Sequence, residues 1–227
     1  MEPKNRGMSE ATISASPLAG RSAFLRDRIA SIVAFAPLSL WTGLHLWNNL
    51  AVLRGGGAWQ EAVTHHANPV AHVFTLLIVL LPLVLHTIWG IKRLASAKPN
   101  NVRYGFYANF KYLLQRASAI GVLLFLGAHI WLAMIYPRLV LGHAEAFADI
   151  AHEMHHHGPT LAVYLLGSLG VCFHLANGMQ SLAMGWGVVT SQKALRKLEF
   201  LVIGLFLVLL TMAWTSIFGL YQAGASV

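Results

Sequence analysis

Charge is scarce in this chain. Of its 227 residues only 11% are charged and 56% are hydrophobic, whereas about a quarter of the residues of a soluble domain are charged. That balance excludes a disordered chain, a collagen-like or coiled-coil rod and an ordinary soluble domain. Cysteine is scarcer still. The single one, Cys172, stands inside an apolar run, so no disulfide framework, cysteine zinc site or C-x-x-C-H haem attachment can form. It reads as a small buried apolar residue. Acidic residues are few as well, 8 against 16 Lys and Arg, giving a net charge of +8. Such an excess attracts nucleic acid when it forms a patch. Here it is dispersed along the chain in a pattern that has another cause.

What is present is long hydrophobic runs. Five of them, at roughly residues 29–53, 70–91, 117–137, 159–188 and 200–221, reach or exceed the ~20 residues that cross a bilayer. The expected fold class is an all-α integral membrane protein with five transmembrane helices, the first four forming a bundle around bound groups. Residues 1–23 are polar and read as a disordered tail rather than a cleavable signal. Residues 24–221 then form the transmembrane domain and 222–227 a short C-terminal tail. Lys4, Arg6, Arg21, Arg26 and Arg28 precede the first run; Lys92, Arg93, Lys98, Arg103, Lys111 and Arg116 lie between the second and third; Lys193, Arg196 and Lys197 lie between the fourth and fifth. Only Arg54 and Arg138 fall on the other side. The positive-inside rule places the N-terminus in the cytoplasm and the C-terminus outside. The basic excess is thus topological, and no nucleic-acid partner is expected.

Histidine carries the chemistry. Eight of the twelve (His65, His66, His72, His143, His152, His155, His156 and His157) lie in or beside the two outer loops. The others, His45, His86, His129 and His174, stand one in each of the first four runs. An ionisable group inside a membrane span is costly and marks function. Four imidazoles on facing helices are the donor set of two bis-histidine haems. Local patterns group them: His86 and His174 have Gly90 and Gly178 four residues on, on the same helix face, where a flat macrocycle could lie close. His45-Leu46-Trp47 and His129-Ile130-Trp131 share a motif whose Trp favours the membrane interface. At 1.5 Å per residue His45 lies ~25 Å from Arg28 and His86 ~9 Å from Lys92, giving an outer and an inner level. His129 and His174, ~20 and ~18 Å from the inner side, do not decide the pairing by depth.

Certain segments also carry a resemblance. FLRDRIASIVAFAPLSLWTGLHL, LPLVLHTIWG, AKPNNVRYGFYANFKYLLQRASAIG, AHIW and FHLANGMQSLAMGWG make residues from about Phe24 to Leu220 similar to the five-helix, dihaem cytochrome b anchor subunits of succinate:menaquinone oxidoreductases and quinol:fumarate reductases. The resemblance implies two haem b groups, the outer on His45 and His129, the inner on His86 and His174. It implies a quinone, menaquinone in this family, and flavoprotein and iron–sulfur partner subunits on the cytoplasmic face of a bacterial inner membrane. The chain would then transfer electrons and hold no succinate-oxidising site of its own. Arg28, Ser31, Gln115 and Arg116, at inner helix ends, are candidate partners of haem propionates. Some relatives place a lysine where Gly185 stands, so propionate contacts are not copied from those relatives.

Other motifs compete. His152-Glu153-Met154-His155-His156 matches the H-E-x-x-H pattern of zinc peptidases, yet five histidines in fifteen residues produce such a match easily, and a solvated loop is the simpler reading. A second alternative is the dihaem anchor of a hydrogenase or formate dehydrogenase. Lys92, Arg93, Lys98, Arg103 and Lys111, with Tyr104, Phe106 and Tyr107, form a basic inner loop suited to a soluble partner or to lipid headgroups. Asn49, Trp59 and Glu61, just past His45, are weak candidates for quinone or proton contacts.

Overall fold

The computed structural model of the protein describes residues 17–64, 73–96 and 105–227, and among these every regular element is helical. Lys4, Arg6, His65, His66, His72, Lys98, Arg103 and Tyr104 lie outside the described residues. Helix α1 spans Pro17–Asn49 and ends in a 3-10 turn, Leu50–Arg54; α2 is short, Gly56–Val63. Helix α3, Leu81–Ala95, continues a π-helical stretch at Thr75–Leu80. Helix α4, Tyr107–Ile130, runs on through π turns at Trp131–Ile135 and Pro137–Leu141. Helix α5 is Phe147–His156, α6 Gly158–Gly185 and α7 Gln192–Ala223, closed by a 3-10 turn at Gly224–Ser226.

Five segments are long and apolar enough to cross a membrane: Arg28–Arg54, Thr75–Ala95, Tyr107–Leu141, Gly158–Gly185 and Gln192–Ser226. Each expected run is present, but the third and fifth helices overshoot theirs. Hydropathy sees only the lipid-facing middle, whereas backbone hydrogen bonding carries a helix on through polar residues once it is nucleated. For the same reason residues 17–23, expected as part of a disordered tail, belong to α1. Pro17, at its first position, has the fixed φ that a helix start favours. The C-terminal residues 224–226 also form a helical turn, and Gly224 lies against Ala151 of α5 so closely that a side chain would collide with the Ala151 carbonyl.

Breaks in the helices have local causes. Pro137 has no N–H for the Ala133 carbonyl, and Arg138 substitutes by donating through Nη1 to the carbonyls of Ala133, at 3.4 Å, and Met134, at 3.1 Å. Helix α6 ends in a Schellman motif: Gly187 takes φ 70°, its N–H bonds Met184 O at 3.1 Å, and Val188 N bonds Ala183 O at 3.0 Å. Helix α7 starts on Ser191, whose Oγ accepts from Ala194 N at 3.2 Å.

The two outer segments, expected as solvated loops, are helices α2 and α5 that lie over the end of the bundle. Trp59, Ile150, Ala151 and Met154 are buried there with Val52, Tyr164, Ile217 and Leu220. Burying a side chain such as Met154 contributes about 1.5–3 kcal/mol. Gln60 joins the two helices: its Nε2 donates to Glu145 O at 3.0 Å and its Oε1 accepts from Phe147 N at 2.7 Å, satisfying the exposed start of α5. Along the spans, α6 and α7 pack through Cys172, Leu209 and Ala213 and through Ala176, Leu198 and Val202. Cys172 is a free, buried thiol, as an apolar filler should be.

Glycines differ in what they pack against. A side chain at Gly167 would meet Phe125, and Gly170 lies against Val122, so these two bring α4 and α6 together. Gly43, Gly90, Gly121 and Gly127 have nothing within 4 Å of a Cβ among the described residues.

Candidate functional site

Helices α1, α3, α4 and α6 surround a cavity of about 1610 Å³, bordered by His45, His86, His129 and His174. Single small-ligand pockets hold roughly 300–1,000 Å³, so this one has room for more than one such group. The histidines meet in two pairs. His45 faces His129 with ring centres 5.8 Å apart and planes at 71°; His86 faces His174 at 6.2 Å and 70°. A metal stands about 2 Å from an imidazole nitrogen, so ring centres near 6 Å apart leave place for one ion between each pair.

The pairs lie at two levels along α4. His129 occupies one. His174 stands opposite Gln115 and Ser118, eleven to fourteen residues earlier on α4, a separation of ~16–21 Å along the helix axis. Contacts, not distance from the chain ends, therefore order the two levels.

Each ring has a different setting. Tyr164 Oη lies 3.1 Å from His129 Nδ1, and Phe125 stacks on the His129 ring with centres 5.5 Å apart. Ser118 Oγ lies 3.3 Å from His174 Nδ1. His45 stacks on Trp41 and has the Asn49 amide 3.5 Å from its Nε2. His86 has a tilted Trp89 beside it and a buried Nδ1 without a hydrogen-bond partner among the described residues. Trp41 and Trp89 thus neighbour the histidines. Gly90 and Gly178 border the cavity, and nothing lies within 4 Å of a Cβ at Gly90.

A wide apolar cavity between two imidazole pairs is what a bound iron macrocycle would complete. Neutral imidazoles are the axial donors that haem iron takes, and four of them serve two such groups. The residues present fit the haem that the sequence led us to expect.

The other candidates are distributed around this cavity. At the basic end Arg28 points across to α6, where its guanidinium occupies the space a side chain at Gly185 would need; it also covers the Phe24 ring at 4.7 Å. Ser31 Oγ donates to Arg28 O at 2.7 Å. Arg116 contacts Tyr112 Oη and the carbonyls of Arg93 and Leu94, leaving its Nε buried without a partner. Gln115 is turned to α6: its Nε2 donates to His174 O at 3.1 Å and its Oε1 accepts from Asn177 Nδ2 at 2.8 Å. Its amide is committed there, which a propionate contact would have to displace.

At the opposite end Trp59 Nε1 donates to Asn49 Oδ1 at 3.1 Å, and both border the cavity, whereas Glu61 does not. Glu145 borders it too and was missed from the sequence, where it reads as a loop carboxylate. It is buried, and burial raises its pKa to about 8 although Arg138 pulls it down; Asp149 adds to the rise. Lys111 corrects the basic loop: it is tucked between helices, Nζ 2.5 Å from Gln180 Oε1 and 3.2 Å from Glu199 Oε1. A cation that close to a carboxylate is paired within the bundle and not presented to a partner.

The H-E-x-x-H segment forms most of α5 rather than a solvated loop. His155 Nδ1 donates to Tyr221 O at 2.8 Å, and Glu153 is held by His157 at 3.0 Å and Thr160 at 2.6 Å. His152 and His156 lie side by side with ring centres 4.5 Å apart. Among the described residues no three His, Cys, Asp or Glu side chains are grouped to hold a metal ion.

Comparison with known proteins bears on the class of anchor. Residues 106–213 match the family described as succinate dehydrogenase/fumarate reductase transmembrane subunit. The chain is also 26% identical to the succinate dehydrogenase cytochrome b558 subunit of Bacillus subtilis over 202 residues, 88% of this chain and 98% of that protein. The resemblance to the succinate dehydrogenase membrane anchors holds over most of the chain. It favours a succinate or fumarate enzyme over a hydrogenase or formate dehydrogenase anchor, and a multi-pass subunit of the bacterial inner membrane.

Proposed function

We propose that this chain is the electron-carrying membrane subunit of a succinate dehydrogenase. It holds two b haems, one on His45 and His129 and one on His86 and His174, between an iron–sulfur subunit docked on the basic face and a quinone near the other end. The observation that carries this reading is the meeting of four span histidines in two facing pairs around one cavity. Bound haem supplies reversible one-electron chemistry at iron, with a potential set by ligands, hydrogen bonds and burial.

The chain's own residues bind, orient and exclude water. Helices α1 and α4 supply one pair of imidazoles and α3 and α6 the other, so each group would cross-link two helices. Arg28 and Arg116, at the basic end of the cavity, supply positive charge for the carboxylates of the inner group, with Ser31 as a neutral neighbour; Gln115 serves His174 instead. Charge distribution supports a cytoplasmic N-terminus and an external C-terminus. The quinone, menaquinone by family resemblance, would reach the capped end, where Asn49, Trp59 and Glu145 are among the polar groups at the cavity wall. Succinate chemistry belongs to the flavoprotein partner.

Haem counted per polypeptide in the purified complex tests this. Two noncovalent, low-spin haems are expected, and replacing His45 or His129 should remove one while leaving the other reducible by succinate. A single haem per chain, or none, would overturn the reading.

A further inference from the structure

The four histidines are not equally held. On α4 and α6, the two helices joined by the Gly167–Phe125 contact, each helix orients the ring that the other carries. Tyr164 of α6 places its hydroxyl 3.1 Å from Nδ1 of His129 on α4, and Ser118 of α4 places its hydroxyl 3.3 Å from Nδ1 of His174 on α6. Among the described residues His45 has only the Asn49 amide of its own helix, and that amide donates to His45 O at 2.8 Å. His86 Nδ1 has no hydrogen-bond partner among the described residues.

Hydrogen-bond roles follow from the donor inventory. A ring that gives Nε2 to a metal carries its proton on Nδ1 and needs an acceptor there. Ser118 Oγ qualifies, because its own proton goes to Gln115 O at 3.0 Å, which leaves lone pairs for Nδ1–H. The Gln115 amide nitrogen also lies 3.2 Å from Nδ1, but it is a donor, with one of its two protons on His174 O, and it cannot accept Nδ1–H. It fixes the backbone of the ligand rather than its ring. Tyr164, buried in the capped end, has a hydroxyl oxygen 3.1 Å from His129 Nδ1 that can accept Nδ1–H when Nε2 is given to a metal.

From this we infer that Tyr164 and Ser118 are positioning residues, each fixing the tautomer and ring plane of one axial ligand and setting the potential of one haem independently of the other. The inference rests on the paired-histidine reading above. Each haem site then has one fixed imidazole, on α4 or α6, and one adaptable imidazole, on α1 or α3. An acceptor at Nδ1–H makes the imidazole a stronger base and favours oxidised iron, so deleting it raises the potential of that haem.

The experiment is redox titration of the intact complex, followed by optical and paramagnetic resonance spectra that resolve the two haems. In Tyr164→Phe the haem of His45 and His129 should shift upward in potential with an altered low-spin signal, and the other should stay in place. In Ser118→Ala the pattern should invert. Ser118→Thr, which keeps the hydroxyl, should restore the parent potential. Outer-site haem affinity in Tyr164→Phe should fall by about 10–100-fold. Unchanged potentials in both variants with two haems retained would overturn the positioning roles while leaving the paired ligands intact. Equal shifts of both haems in either variant would also overturn them, since they would mean general loosening. Absence of two haems in the parent complex is a separate outcome, and it would remove the underlying reading itself.

Discussion

Helices α6 and α7 bury side chains along most of their length, from Thr160 to Gln180 and from Leu198 to Leu220, whereas α3 and α4 bury none. All four are apolar enough to span a bilayer, so hydrophobicity does not explain the difference. Lipid is as good a solvent for Leu as another helix, and association in a membrane depends on close fit and on shared polar groups. Helices α6 and α7 achieve that fit with each other. Helices α1 and α3 face a cavity instead, and what would tie them to α4 and α6 is the two bridged histidine pairs.

The first way to break this comparison is to remove haem. A ligand at ten thousand times its Kd stabilises the state that binds it by about 5.5 kcal/mol, and here that stabilisation should be local. Hydrogen exchange on haem-depleted protein should lose protection in α1 and α3 by orders of magnitude, while residues 172–180 and 202–213 keep theirs. Uniform loss across all five spans would show that the α6–α7 pair does not stand alone.

The next effect concerns Glu145, between the α4 extension and α5. Its folded pKa, about 8, lies above its ordinary value of 4.5 because it is buried. Between those values the folded state binds the extra proton, so stability is fully present below pH 4.5 and falls as pH rises through 8. At ~1.36 kcal/mol per unit the ceiling is just under ~5 kcal/mol. Glu145→Gln should flatten the dependence of Tm on pH in this window and raise Tm above pH 8. A variant with the parent's pH profile would show that another group titrates.

A smaller loss sharpens the helix contrast. At Gly167 an added side chain meets Phe125, whereas at Gly90 it meets nothing within 4 Å. Gly167→Val should cost about 1–3 kcal/mol by overpacking, measured as Tm with haem bound. Gly90→Ala should leave apoprotein stability unchanged and show its effect, if haem lies against it, in haem content alone.

The five spans were legible because lipid demands a run of apolar residues that nothing else in a small chain produces. The four histidines were legible because imidazole is out of place there. His-Leu/Ile-Trp and His-x-x-x-Gly sorted them into the same pairs whose rings meet, although depth along the chain did not. What sequence hid was everything that depends on crossing helices. Trp59, Met154 and Glu145 read as loop residues, because a ten-residue amphipathic helix such as α5 gives too short a pattern to separate from a polar loop. Gln115 and Ser118 meet His174, nearly sixty residues away. Nothing in the local sequence of Tyr164 marks it as a neighbour of His129.

The smallest predicted effect lies at the basic end. The capped end is held by a cluster of eight buried apolar side chains; the basic end has Lys111, which joins α4 to Gln180 of α6 and Glu199 of α7 and lies 5.6 Å from the centre of the Tyr107 ring. Lys111 and Glu199 keep side-chain exposures of 16% and 30%, so water and salt weaken the pair, and its contribution is nearer the ~1 kcal/mol of a surface bridge than that of a buried one. Lys111→Met retains the apolar stem and removes only the charge. It should lower Tm by a few degrees at low salt, and the deficit should shrink at high salt. Because Lys111 is turned into the bundle, the variant should still co-purify with the flavoprotein and iron–sulfur subunits. Reversal of Lys92 and Arg93, which are exposed at the end of α3, should release those subunits with both haems retained. If Lys111→Met alone released them, the inward ion pair would not be its role, and the basic end would be held by the partner rather than by the chain.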